Sequence, residues 1–236
     1  MDLSPEIFQK QLQGMTIFED DIIVTGNNSS YILKIKKYLQ EQFDIKDLDT
    51  LKYFLGIEIA HSKKDLFLSQ RKYVLDLLKE IGKLATKPTK TLIETTVKLN
   101  TEEGTPLHYI NMYQRLVGKL IYLTVTRPDI TFEVSNVSQF MHAPRTSHLS
   151  AVYRIRHYLK ATTRVGIWMK RNNRIDVIGY TDADWAYIFD RKFTTGFCTF
   201  VRGNLVTWRS KKQNTVSRSS AEAEYRAMAA TIEELI

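Results

Sequence analysis

Asp20 and Asp21 are adjacent carboxylates between two short apolar runs, in the stretch MTIF-EDD-IIVTG from Met15 to Gly26. Such a pair, joined by one more acid from a neighbouring strand, can hold two Mg²⁺ ions that activate a hydroxyl nucleophile and stabilise a leaving pyrophosphate. The same residues also suit an ordinary turn, where Asp is common. A second pair, Asp182 and Asp184, closes the expected strand Ile175–Thr181, and strand alternation puts both on one side. Carboxylates at a strand end suit metal-assisted hydrolysis of a phosphodiester, or simply a polar strand terminus. The third candidate is Glu222. Ser219-Ser220-Ala221-Glu222 is a capping box, which by itself accounts for Ser219 and Glu222. The helix that follows is expected to bury Tyr225, Ala229, Ile232 and Ile236. Glu222 falls on that face and would meet Asp182 across the sheet, with Glu224 the weaker candidate.

Charge supplies a partner for such sites. The 236 residues hold 34 Lys and Arg against 26 Asp and Glu, a net charge of +8. Residues 1–100 account for only +1 of it. The window 145–218 holds fifteen basic residues and four acids, Asp176, Asp182, Asp184 and Asp190, a net of +11. A surface of that charge attracts a polyanion and releases its condensed counterions, so RNA, DNA or an RNA–DNA hybrid is the expected partner. Arg209, Lys211, Lys212 and Arg218 are the expected contacts. A solvated basic surface without a partner has the same composition. One cysteine, Cys198, excludes a disulfide framework and a cysteine zinc site, and the five His lack the spacing of a zinc protease. No apolar run reaches the length of a membrane span, and the first residues are too polar for a secretory signal, so the expectation is an intracellular protein without a membrane partner.

These side chains need elements to hold them. After a leader at 1–14, the runs around Asp20 predict a hairpin. Asn27-Asn28-Ser29-Ser30 caps a helix to about Phe43, with Ile32, Ile35 and Leu39 inward. Lys52–Ala60 and Asp65–Ser69 read as two strands joined at Ser62-Lys63-Lys64. Gln70–Ile81 reads as a helix with Val74, Leu77, Leu78 and Ile81 inward. Residues 83–107 lose periodicity and predict a linker. Three helical segments follow. Tyr113–Thr124 places Leu116, Val117, Leu120 and Ile121 on one face. Pro128 opens a second with Ile130, Val134 and Val137. Ser147 precedes a third with Leu149, Val152, Ile155 and Leu159. Strands are expected at Gly166–Met169, Ile175–Thr181, Gly196–Val201 and Leu205–Arg209, with Arg202-Gly203-Asn204 a tight turn. A last helix starts at Ser219.

The words and their order resemble the Pol polyprotein of copia-type long-terminal-repeat retrotransposons. The matching stretches include DDIIVTGNN (20–28), LKYFLGIEI (51–59), LSQRKYVLDLL (68–78), YQRLVGKLIYLTVTRPDITFEVSNVSQFM (113–141), GYTDADWA (179–186) and WRSKKQNTVSRSSAEAEYRA (208–227). The resemblance implies an α+β fold. Residues 15–100 would be a partial reverse transcriptase palm and thumb, 101–165 a helical connection, and 166–236 a truncated ribonuclease H-like mixed sheet. It implies that Asp20 and Asp21 belong to the palm's metal site, that Asp182 and Glu222 belong to the nuclease's, and that Mg²⁺ is the cofactor. Phe18-Glu19 stands where the family has Tyr-Val, Tyr187 where Gly is usual, and Phe193 where Ser is usual. The first palm aspartate and the third nuclease aspartate of the family have no counterpart in the chain. The expectation is therefore a fragment of a polymerase and nuclease that is inactive alone. The alternative is a basic nucleic-acid-binding remnant.

Overall fold

The computed structural model describes residues 15–18, 21–80, 89, 91–92, 99–184 and 192–235. The chain divides into two units, at Leu51 and Lys52. This division does not coincide with any of the boundaries expected from the sequence.

In the first unit, β1 (Met15–Phe18) and β2 (Asp21–Val24) pair antiparallel, Met15 opposite Val24 and Phe18 opposite Asp21. The apolar runs thus form the expected hairpin. Helix α1 (Ser29–Gln42) follows, capped by the Asn28 side chain accepting from the Tyr31 amide at 3.1 Å. Its inward stripe is the expected one: Leu39 is buried, and Ile32 and Ile35 are half-buried.

The second unit begins with a four-stranded antiparallel sheet in the order β3-β4-β5-β6. The run Lys52–Ala60, expected as one strand, is two: β3 (Tyr53–Phe54) and β4 (Ile57–His61). Leu55 and Gly56 between them both have positive φ, 43° and 80°. That is the backbone of a tight hairpin turn, and it reverses the chain in the middle of an apolar run. The Tyr122 hydroxyl donates to the Leu55 carbonyl and holds the turn against the helices. Strand β5 (Asp65–Ser69) pairs on its far side with β6 (Ile167–Lys170), Leu68 opposite Ile167. A strand expected with the nuclease half therefore closes the sheet of the preceding one.

Helices α2 (Arg71–Glu80), α3 (Ile110–Leu123), α4 (Thr131–Ser138) and α5 (Thr146–Ala161) make the main core. Val74, Leu77, Val117, Leu123, Val137 and Leu159 are among its enclosed side chains. Ile121, expected inside, is 44% exposed. Leu92, Leu99 and Leu107 of the expected linker pack against this core. Arg127 is buried just before a short 3-10 turn (Pro128–Ile130). It donates to both oxygens of Asp129, at 2.8 and 2.7 Å, and to the Thr162 carbonyl at 3.0 Å. A buried guanidinium needs such a full set of partners.

The last layer is a three-stranded sheet, β7 (Val177–Asp184), β8 (Lys192–Val201) and β9 (Asn204–Val216), with α6 (Ser220–Leu235) on one face. The expected mixed sheet is, among the described residues, antiparallel throughout, because β7, β8 and β9 pair in chain order as a meander. Arg202 and Gly203, both at positive φ, make the expected tight turn between β8 and β9. The stripe of α6 differs from expectation. Tyr225 is 72% and Ile232 55% exposed, and Ala223, Ala227 and Thr231 are buried instead. The cause lies in the strand beneath. A Cβ on Gly179 would stand 2.9 Å from Thr231 Cγ2, so helix and strand approach too closely for large side chains between them. Ile236 lies outside the described residues.

Candidate functional site

Asp20 lies outside the described residues. Asp21 opens β2 in the first unit.

The second candidate site is built on β7. Ala183 packs with Phe193 of β8 and with Ala223 and Ala227 of α6. Side chains alternate along a strand, so Asp182 and Asp184 share the face that points away from α6. Cross-strand register puts Asp182 opposite Gly196 and Asp184 opposite Thr194. Both aspartates are exposed, and they line a cleft of about 520 Å³ with Tyr180, Phe132, Ser210 and Trp208. Gly196 forms part of its floor; a Cβ there would meet only the Arg209 carbonyl, at 3.9 Å. Trp208 is anchored at the back of the cleft, its indole N–H donating to the Thr124 carbonyl at 2.8 Å.

Glu222 sits on α6, at the other face. The Ser219 hydroxyl accepts from the Glu222 amide at 3.2 Å. The Glu222 carboxylate accepts from the Arg218 amide at 2.7 Å and from Arg226 Nη2 at 2.7 Å. The Arg218 amide, and next the Arg226 guanidinium, hold its carboxyl below the usual range. Glu222 thus caps its own helix and pairs one turn along it. The structure does not bring it to Asp182. Arg226 is the residue that sequence reasoning passed over, and the signal was present: an Arg four residues after a Glu on a helix is the spacing of an ion pair.

A divalent ion fits this arrangement poorly. Among the described residues, no group of three or more His, Cys, Asp or Glu side chains is placed to hold a metal. Glu222 already has its two oxygens engaged, and Asp182 projects from the opposite face. No chemistry is therefore derived through Mg²⁺ at this site.

The basic residues are placed differently from one another. Arg209 is opposite Phe197 and Lys211 opposite Thr195, on the α6 face of β9, and both are exposed. Lys212, opposite Thr194, is on the Asp182 face and half-buried. Arg218 is exposed between β9 and α6. Phe193 fills the space under α6 at 1% exposure, with the Arg226 guanidinium 6.0 Å from its ring centre. Among the described residues, no helix is long and apolar enough to cross a membrane.

The reverse transcriptase (RNA-dependent DNA polymerase) family matches residues 9–95. The chain is 41% identical over 227 residues to a retrovirus-related Pol polyprotein from transposon RE1 of Arabidopsis thaliana, a match covering 96% of the chain but 16% of that polyprotein. It is 40% identical over 223 residues to an uncharacterized mitochondrial protein of Arabidopsis thaliana, covering 94% of the chain and 92% of the relative. It is 30% identical over 225 residues to a putative transposon Ty5-1 protein of Saccharomyces cerevisiae, covering 94% of the chain and 73% of the relative. No solved structure matches the chain.

Proposed function

We propose that this chain, which belongs to the Pol polyprotein family of copia-type retrotransposons, binds nucleic acid through its basic C-terminal surface and carries no assembled nuclease centre of its own. The parent activities would be RNA-directed DNA polymerase and ribonuclease H. Residues 15–100 would correspond to part of the palm and thumb, 101–165 to the connection and 166–236 to part of the nuclease. Asp20 and Asp21 would descend from the polymerase carboxylates, and Asp182 and Glu222 from those of the nuclease.

The observation that carries the inactive reading is the separation of Asp182 from Glu222. Metal-assisted hydrolysis needs carboxylates that converge on one ion beside the scissile phosphate. Here one carboxylate faces the cleft and the other is held by Arg218 and Arg226. The binding reading rests on charge placement. Arg209 and Lys211 project from the same face of β9, and with Arg218 farther along the chain they fall within the window of net charge +11. Phosphate contacts by such residues are independent of sequence and sensitive to salt.

Fluorescence anisotropy with a labelled RNA–DNA hybrid tests the binding. Affinity is expected to fall by orders of magnitude between ~50 and ~200 mM salt if several phosphates are neutralised. Charge reversal at Arg209 and Lys211 should weaken binding and flatten the salt slope. A flat salt response in the unaltered chain would contradict the reading.

A further inference from the structure

We propose that the face of the β3–β6 sheet around Trp168 holds single-stranded nucleic acid, with a base stacked on the indole and phosphates against the cations of the adjoining turns. This extends the nucleic-acid reading to a second surface, made of other residues than Arg209, Lys211 and Arg218. Its aromatic part is built by register. Phe67 of β5 and Trp168 of β6 stand directly opposite each other, and their ring centres are 4.9 Å apart. The neighbouring pair, Leu68 and Ile167, turns to the other face, where Ile167 is buried. Trp168 is instead 55% exposed. Gly166 sets the height of the pair. A Cβ there would stand 2.9 Å from Phe67 Cζ, so the tip of the Phe67 ring rests over Gly166 while the ring packs against the indole. The result is a supported, flat, solvent-facing ring, the shape on which a base stacks.

Cations gather at the same end of the sheet. Lys170 shares the Trp168 face, two residues along β6. Lys63 and Lys64 lie in the turn between β4 and β5, and the Arg171 amide donates to the Lys64 carbonyl at 3.2 Å. The Asn172 side chain donates to the Arg202 carbonyl, which brings the β8–β9 turn alongside. Lys63, Lys64, Lys170, Arg171 and Arg202 are all exposed, and among the described residues none of them is in an ion pair. Of the acids nearby, Asp176 is taken by Arg174 at 2.6 Å, and Glu58 accepts from the Lys72 amide at 2.8 Å. Asp65 stands opposite Lys170.

This mixture selects the occupant. Covering five unpaired cations with protein carries a heavy desolvation cost unless the cover brings matching anions. A second copy of this chain would bring cations. A nucleic acid brings one anion per nucleotide, and a single strand also offers free base faces to the indole. A duplex keeps its bases stacked on one another, so it can use the charges but not Trp168. An added strand is not the occupant either, because Asn204 seals β6 at this end. Its Oδ1 accepts from the Lys170 amide at 2.7 Å, and its Nδ2 donates to the Lys170 carbonyl at 3.0 Å.

Anisotropy of a labelled single-stranded oligonucleotide titrated with the full chain, beside the same sequence as a duplex, tests this. The single strand is also expected to quench the tryptophan emission. Trp168→Thr alters an exposed strand position, so circular dichroism should be unchanged, and single-strand affinity should fall about tenfold or more. Trp168→Tyr keeps an aromatic face and should keep most of the affinity. Lys64→Glu with Arg171→Glu should weaken binding and lower the salt slope. The loss in Trp168→Thr should be confined to the single strand. The two surfaces are tested separately: the salt response of hybrid binding reads the C-terminal one, and the Trp168 dependence of single-strand binding reads this one. Single-strand affinity unchanged in Trp168→Thr would overturn the proposal, as would an equal loss for the duplex. Binding to phosphatidylserine vesicles that is lost in Trp168→Thr, with the oligonucleotide unaffected, would overturn it too and assign the face to a membrane surface.

Discussion

Leu123 and Leu159 are fully enclosed among the helices, whereas the contact of α6 with β7 and β8 is made by Ala223, Ala227, Ala183, Phe193 and the backbone at Gly179. The two regions solve burial in different ways. The helical core uses long aliphatic side chains from four helices and ties its ends with Arg127 and His148, both buried and both hydrogen-bonded. The C-terminal layer gains its contact from small residues at close range and leaves Tyr225, Ile232 and Tyr180 in solvent. Burial scales with apolar area removed from water, so the first region should hold most of the stability and the second most of the free surface.

The largest expected effect is in the helical core. Leu159→Ala should cost about 2–5 kcal/mol, read as a shift of the urea midpoint, because the site is enclosed on all sides. A loss under ~1 kcal/mol, well below the range for a buried Leu→Ala, would remove the contrast between the regions. Gly179→Ala tests the other side. Its methyl would meet buried Thr231 at 2.9 Å and Leu235 at 3.3 Å, so about 1–3 kcal/mol should be lost as α6 lifts from the strand. A neutral result would show that the layer is looser than the close approach implies.

His148 ties the helical core to the segment before it. Its Nδ1 accepts from the Arg145 amide at 3.0 Å, its Nε2 lies 2.8 Å from the Asn100 carbonyl, and Phe140 stacks on the ring at 3.8 Å. With Nδ1 accepting, Nε2 carries the proton and the ring is neutral. Burial lowers its pKa from the ordinary 6.5, with nearby Arg145 a smaller cause and the Asn100 carbonyl and Glu103 opposing. The folded state therefore binds fewer protons than the unfolded state in the window below 6.5, and stability should fall as pH drops through it. His148→Gln, which can accept and donate at similar places, should flatten this part of the pH profile in urea titrations. An unchanged slope would assign it to another group. The smallest effect is expected at Gly118, exposed in the middle of α3 with open space around it. Gly118→Ala should raise stability by ~0.5–1 kcal/mol.

Legibility in the sequence followed the same division. Periodicity located α1, α2, α3 and α5 with their inward Leu39, Val74, Val117 and Leu159, because large aliphatic residues at helical spacing carry a strong signal. It misplaced the face of α6, because Tyr225 and Ile232 outweigh Ala223 and Ala227 on any hydrophobic scale. The distinction depends on Gly179, in a strand far back along the chain. The turn at Leu55-Gly56 was hidden inside a continuous apolar run. The pairing of β6 with β5, Trp168 opposite Phe67, is long-range and leaves no local trace. Strand β9 runs on to Val216 through Arg209-Ser210-Lys211-Lys212, whose polarity reads as a loop until β8 is seen beside it. At the candidate site, the sequence marked Asp182, Asp184 and Glu222 as the residues to watch. The side of the sheet each would take depended on the α6 face, and hence on Gly179 again.

The proposed role is to bind nucleic acid without cutting it. Incubation of the full chain with Mg²⁺ and a labelled RNA–DNA hybrid, followed by separation of the fragments, distinguishes the two outcomes. The expected result is a retained, intact hybrid, identical for the unaltered chain and for Asp182→Asn. Cleavage by the unaltered chain that is lost in both Asp182→Asn and Glu222→Gln would contradict it, since the two carboxylates would then have to act together on one phosphodiester.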